Sequence, residues 1–362
     1  MTGEDELKIG KGRRRCSPPG IPPTKREIPV QYRAFEASSR LGAFPHVKQM
    51  ARSLTAASHL QLIEVAQAIR EKPEPDSKDI AFLARQLVQA TLPHAAPRGT
   101  PPEWARVNGN LTLSIRPGFK TDRRTGKRVC IGYPFGTIPR LLLFWITTEA
   151  LRTKSRRLEL GASVNAFIRD LGLNPATGGG VRGDAKRLRD QMERLFRATI
   201  SLERSDDDGQ SWLDMQIAPK GFLWWDFKEP EQGALLTSWI ELSEPFYEAI
   251  LSAPVPVDVR ALRALKRSPL ALDLYAWLAY QSFLSTQRGR ATFVSWTQMM
   301  KHLGTDYADL RNFRRHAKSA ILKIRAVYPL LNLDFTHGGV EIRPGAPAIP
   351  GRLRQRPTTH SA

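Results

Sequence analysis

Cysteine is nearly absent: Cys16 and Cys130 are the only two in 362 residues. Two thiols so far apart make no disulfide framework, and they suit a reducing cytoplasm. Metal-binding spacing is missing as well. No Cys-x-x-Cys occurs, and the seven histidines (His46, His59, His94, His302, His316, His337, His360) never form His-x-His. Neither a zinc site nor the paired-histidine centre of a nicking enzyme is expected, and no cofactor is implied. Long apolar runs are lacking too, the LLLFWI stretch at 141–146 being far shorter than the roughly 18 residues of a spanning helix. The opening Glu4, Asp5 and Glu6 have no basic flank or apolar stretch behind them, so no signal peptide is expected. The glycines at 178–180 and 183 have no Lys-Ser/Thr after them, and the Thr125–Arg128 turn lacks the rest of a phosphate loop. These absences point away from an enzyme and from a membrane protein.

Acidic residues are scarce relative to basic ones. Thirty-five Asp and Glu stand against 55 Lys and Arg, a net charge of +20, with a pI near 10.4. Such a chain is expected to meet a polyanion, nucleic acid first of all. A hydrophobic content of 41% fits a folded protein, while 26 Gly and 27 Pro point to many loops and to tails.

Two such tails are expected. Residues 1–53 carry Lys11, Arg13, Arg14 and Arg15 and then Pro18, Pro19, Pro22 and Pro23, without a lasting period. The tail is either a basic arm on phosphates or a solubilising segment. Residues 344–362 repeat this character, with Pro344, Pro347, Pro350, Pro357, Arg352, Arg354 and Arg356. Between the tails, helices are expected at 58–69 and 80–91, separated by the KPEPD break, and strands at 110–115 and 128–131 around a basic turn, GFKTDRRTGK.

Next comes a helix from Thr137, with a capping hydroxyl and Pro139 in its first turn, running to about Arg152. A short strand at 158–160, a helix at 163–171, the glycine run and a helix at 184–200 follow. Strands at 199–203 and 212–217 close the series around the loop SDDDGQS. The same order recurs: a helix from Ser268 to about Leu284, a strand at 292–294, helices at 295–303 and 306–327, and a hairpin at 331–335 and 340–343 around Gly338 and Gly339. SVNAFIRDLG (163–172) is similar to SWTQMMKHLG (295–304) at a constant offset. Helix, strand, helix, helix, hairpin is the order of a winged helix, so the fold expected is α+β, mainly helical, with two tandem winged-helix domains as a pseudo-repeat. The domains are placed at 54–257 and 258–343, joined by a connector with a strand at 238–242, a helix at 243–250 and a Pro-Val-Pro turn at 254–256.

Each module has a basic helix. In the first, Leu188, Met192, Leu195 and Phe196 form an apolar stripe, and Lys186, Arg187, Arg194 and Arg197 lie opposite. In the second, Arg311, Arg314, Arg315, Lys318 and Arg325 share a stripe without an acid, whereas Asp190 and Glu193 interrupt the first. Residues 258–343 hold 14 basic and 6 acidic side chains; residues 138–220 hold 14 and 11. Asp206, Asp207 and Asp208 also set a negative tip on the first hairpin. The second helix is therefore the expected main reader of double-stranded DNA, its arginines forking onto guanine O6 and N7 and Lys318 neutralising phosphate. The first contacts DNA more weakly or serves protein association. His302 and His316 are expected at the surface, with facing DNA as the alternative, and Trp224, Trp225 and Phe227 either stack on bases or pack in the core or at a domain interface.

Several stretches resemble one family. YPFGTIPR (133–140) with the following LLL, TEALRTKS (148–155), RLRDQM (187–192), PVPVD (254–258), RALRALKRSPLALDLY (260–275) and DLRNFRR (309–315) are similar to the plasmid-encoded RepA replication initiators. The resemblance spans about 80–344 and implies a non-enzymatic initiator of the bacterial cytoplasm. Such proteins bind tandem repeats (iterons) at a plasmid origin, help open an adjacent AT-rich region and recruit host replicative helicase and initiator proteins. The resemblance further implies a homodimer in equilibrium with monomer, the dimer repressing its own promoter, and it brings no catalytic residues. A winged-helix transcriptional repressor without initiator activity is the alternative; a nicking or polymerising enzyme is a third reading.

Overall fold

A computed structural model describes residues 56–99, 101–161, 163–173, 184–207, 209–223, 238–303 and 307–349, all within one unit spanning Gln49–Ala362. The expected tail at 1–53, the glycine run, the Trp224, Trp225 and Phe227 trio and Asp208 lie outside the described residues. Helices and sheets mix in an α+β arrangement. The chain begins with α1 (Ala56–Glu71), β1 (Ile80–Ala84), α2 (Arg85–Gln89), β2 (Trp104–Asn108), β3 (Leu111–Arg116), β4 (Phe119–Thr121) and β5 (Arg128–Cys130). Then come α3 (Thr137–Thr153), β6 (Arg157–Glu159), α4 (Val164–Asp170), α5 (Asp184–Arg197), β7 (Thr199–Asp206), β8 (Gly209–Gln216), β9 (Lys220–Phe222) and β10 (Trp239–Glu241). α6 (Glu244–Ser252), β11 (Pro254–Asp258) and α7 (Val259–Leu265) lead to α8 (Pro269–Arg288), β12 (Thr292–Ser295) and α9 (Trp296–Leu303). α10 (Leu310–Val327), β13 (Leu333–Phe335) and β14 (Gly339–Ile342) end the series.

Side-chain caps fix several helix starts. Ser163, Ser243 and Ser268 accept from the backbone N–H of Ala166, Phe246 and Ala271, and Asp309 accepts from that of Asn312. Each bond satisfies an orphan donor of the first turn and contributes about 1 kcal/mol. Two starts differ from expectation. Thr137 does not cap α3: Gly136 holds the cap position at φ 82° with no side-chain bond, a conformation that suits a residue without Cβ. α10 begins at Leu310 rather than 306 because Asp309 is its cap.

The largest correction concerns 80–91 and 254–256. The first was expected as a helix, yet β1 occupies Ile80–Ala84 and only α2 is helical. The second was expected as a turn, yet β11 pairs antiparallel with β1, Ile80 opposite Asp258 and Ala84 opposite Pro254. A five-residue apolar run has no period that separates strand from helix. Pro254 and Pro256 lack N–H donors but are tolerated in a two-stranded sheet, where each strand has one free edge. The loop expected between β7 and β8 is also largely strand, with Ser205 opposite Gln210 and Asp206 opposite Gly209.

β12, β14 and β13 form one sheet in that order, with α8, α9 and α10 around it. The earlier helix–strand–helix–helix–hairpin series has other strand partners. β6 pairs with β10, and the β7–β8 hairpin continues into the sheet β2-β3-β7-β8. The order of elements thus recurs, whereas the sheets differ. α10 packs on α8, α7 and α1, burying Phe313, Ala317, Ile321 and Ile324 completely. Of the expected C-terminal tail, residues 344–349 are held. Gly345 and Ala346 carbonyls accept from Thr286 and Tyr328 hydroxyls, both at about 2.8 Å or less, and Ile349 is buried.

Candidate nucleic-acid interface

The apolar side of α10 faces the core, which turns its basic side outward. Arg311 and Arg315 are exposed in the first two turns, while Arg314, Lys318 and Arg325 are half-buried. Arg315 Nη2 donates to Asn312 Oδ1 at 2.8 Å, steadying the guanidinium along the helix. Lys318 behaves differently from the rest of the stripe. Its Nζ lies 5.7 Å from the Trp296 ring and 5.3 Å from that of Phe335, two rings stacked at 6.2 Å. This cation–π clasp directs Lys318 toward the sheet. Tyr307 stacks on His316 at 5.0 Å, and partial burial together with Arg315 holds that imidazole below the usual histidine range.

In α5 the apolar stripe is buried as expected: Leu188, Met192 and Leu195 are fully enclosed and Phe196 nearly so. The basic side, however, is not one open face. Arg194 lies 5.3 Å over the Phe135 ring and donates to the Tyr133 carbonyl at 3.4 Å. Arg197 donates to the Phe119 carbonyl at 3.4 Å, and Glu193 accepts from Lys120 Nζ at 2.8 Å. The β4–β5 hairpin therefore lies against the last turns of the helix. It approaches so closely that a Cβ on Gly118 would stand 2.5 Å from Arg197 Cβ and from its carbonyl oxygen. Lys186 and Arg187 stay exposed near the N-terminal end, the end a recognition helix presents to bases. Between the hairpin, α5 and β9 opens a groove of about 1120 Å³ with Lys120, Arg128, Lys186, Arg189 and Lys220 among its walls.

A family model described as plasmid encoded RepA protein matches residues 133–298. Over these residues the chain is similar to the plasmid-encoded RepA family. No curated protein matches the chain. The RepA segment runs from Tyr133, just before α3, into α9, and so includes α5 but neither the β4–β5 hairpin nor α10. Among the described residues, no helix is long and apolar enough to cross a membrane.

Beyond the matched RepA residues, one histidine departs from expectation. His302 is not at the surface but 4% exposed, 5.5 Å from the Trp277 ring, and burial presses its pKa down to about 4. His316 is exposed as expected. Asp206 and Asp207 are exposed near the tip of the β7–β8 hairpin, an unfavourable place for phosphates. Sequence reasoning named the 118–127 stretch a basic turn without assigning it to a site. Its signal was present in the four basic residues Lys120, Arg123, Arg124 and Lys127, with Arg128 following at once. The Trp296–Phe335 platform under Lys318 had no local signal, since its two rings come from different elements.

Proposed function

We propose that this protein initiates plasmid replication by binding repeated sequences at its origin, with α10 as the main reader of bases. The observation that carries the reading is the build of α10 itself. Exposed Arg311 and Arg315 occupy its first turns while its opposite side is locked in the core beside the β12-β14-β13 sheet. We read this as a winged helix, a fold that inserts the N-terminal residues of its third helix into the major groove. We assign the C-terminal winged-helix domain to 258–343 and a modified winged helix, its hairpin drawn into the β2-β3 sheet, to the domain at 54–257. The arginines fork onto guanine O6 and N7, each good bidentate pair contributing about 1–3 kcal/mol of base discrimination. Lys186 and Arg187 of α5 add a weaker contact. Binding opens the adjacent duplex and recruits host helicase and initiator proteins, without catalysis by this chain; a homodimer in equilibrium with the initiating monomer represses the promoter.

The test is a gel shift on origin repeats and on unrelated duplex, with Arg311, Arg314 and Arg315 replaced by Ala. Loss of the preference for the repeats is expected. Survival of that preference overturns the assignment of α10. Direct repeats beside the gene fit an initiator, whereas a lone inverted repeat, with no effect of the protein on plasmid maintenance, returns the repressor reading.

A further inference from the structure

We propose that the β4–β5 hairpin, together with α5 and β9, is a second nucleic-acid contact: a groove that takes a phosphodiester backbone irrespective of base sequence. The inference rests on the nucleic-acid reading above but concerns a different surface from α10.

Its starting point is a concentration of charge without an internal use. Every residue of β4 and β5 is exposed. Between Lys120 and Arg128 stand five basic side chains and one acid, Asp122. That acid serves its own turn. Asp122 Oδ1 accepts from the backbone N–H of Arg124 at 2.8 Å and of Thr125 at 2.9 Å, and these bonds hold the carboxyl below its ordinary range. The side chains of Arg123, Arg124, Lys127 and Arg128 make no hydrogen bond or ion pair among the described residues. Like charges this close repel one another, and a polyanion is the ligand that relieves the repulsion.

The charge is also held in place. Asp122 N donates to the Lys127 carbonyl, Gly126 N to that of Asp122 and Ile131 N to that of Gly118, at 2.8–3.0 Å. Lys120 reaches Glu193 across the groove, which offsets one of the two acids on the α5 wall. Lys186, Arg189 and Lys220 stand on the other walls, over a floor that includes Met192, Phe196 and Ile240. Basic walls over a partly apolar floor, in a groove that Lys120 and Arg128 of the hairpin also line, suit a polyanionic backbone. Such contacts position a protein on a nucleic acid without reading its sequence.

The test uses the full chain with Arg123, Arg124, Lys127 and Arg128 replaced by Ala, a change that leaves the Asp122 bonds to backbone intact. Fluorescence anisotropy would follow binding to origin-repeat duplex, unrelated duplex and single strands between 50 and 200 mM salt. The expected result is a loss on the order of tenfold or more, equal for both duplexes, with the slope of log K on log salt shallower by about 0.9 for each phosphate no longer neutralised. A loss confined to single strands assigns the backbone in the groove to single-stranded DNA. Replacing the three hairpin arginines by Lys should retain binding. A charge-matched control, with exposed Arg70, Lys78, Arg85 and Arg98 replaced by Ala, separates a local contact from net charge, and melting curves verify folding. If the hairpin variant binds every probe as the control does, this proposal falls while the α10 reading stands. If the unaltered chain binds no DNA at all, both fall.

Discussion

Arg140 and Asp273 meet guanidinium to carboxylate between α3 and α8, with Nε–Oδ1 and Nη2–Oδ2 both at 2.7 Å. Their side chains are 4% and 9% exposed. The remaining Arg140 donors reach the carbonyls of Leu92, Pro93 and Gly136, and His94 Nε2 stands 2.8 Å from Asp273 Oδ2. Burial by itself would raise the Asp273 pKa, but Arg140 and His94 outweigh it and hold the carboxyl at about 2. Breaking such a pair leaves a buried charge without compensation, whereas an apolar replacement of both partners is often neutral. Asp273→Ala is expected to lower the unfolding free energy by about 3–5 kcal/mol, and the double change Arg140→Met with Asp273→Leu to recover most of it. Urea melts of the two variants beside the unaltered protein decide this, and equal losses for both would refute it.

Acid sensitivity should centre on His302. Its folded pKa is about 4 through burial, against about 6.5 in an unfolded chain. Above pH 6.5 both states carry a neutral ring and stability is intact. Between 6.5 and 4 only the unfolded state takes up the proton, so stability drains by up to roughly 3 kcal/mol as pH falls. His94 is shifted the same way by burial, while Asp273 acts only below the ordinary carboxylate range. His302→Leu, which also removes a buried Nε2 without a hydrogen-bond partner, should flatten the decline in melts run from pH 8 to 4.5. An unchanged decline would count against the assignment.

Gly339 should not tolerate a side chain. An added Cβ would lie 2.1 Å from the Val294 carbonyl oxygen and 2.8 Å from Ser295 Cα, both backbone of β12. Gly339→Ala must push β14 off β12, with an expected loss of about 2–4 kcal/mol. Thermal melts would show it; a loss below about 0.5 kcal/mol, the range of surface changes, would mean the strands part easily.

Arg194 and Lys186 should separate folding from binding within one helix. Arg194→Ala removes the Phe135 and Tyr133 contacts and is expected to lower stability by about 1–2 kcal/mol while leaving the salt dependence of DNA binding alone. Lys186→Ala, at an exposed position, should do the reverse. The same anisotropy and melting measurements serve both variants.

What sequence could and could not foresee follows the range of the interactions. Ser163, Ser243 and Ser268 announce their helices because a cap needs only the next three residues. The inward stripes of α5 and α10 were legible for the same reason, since a helical period is local. The strand character of Ile80–Ala84 was not, because its partner lies at Pro254–Asp258. The contacts that tie Arg194 and the still-exposed Arg197 to earlier segments were equally hidden. Their partners, at Tyr133, Phe135 and Phe119, come from segments about 60–80 residues earlier, and a helical wheel treats such arginines like solvated ones.

The pairing of β1 with β11 also governs how the chain must be made. Residues 80–84 leave the ribosome some 170 positions before the strand that receives them, and the RepA segment up to that strand has to be threaded into the interval. Until then an apolar pentapeptide waits with an unfilled edge, a slow long-range closure of the kind that exposes nascent chains to aggregation. Severing the protein ahead of β11 would strand β1 in the same way, so fragments cut there are expected to be soluble only when produced together.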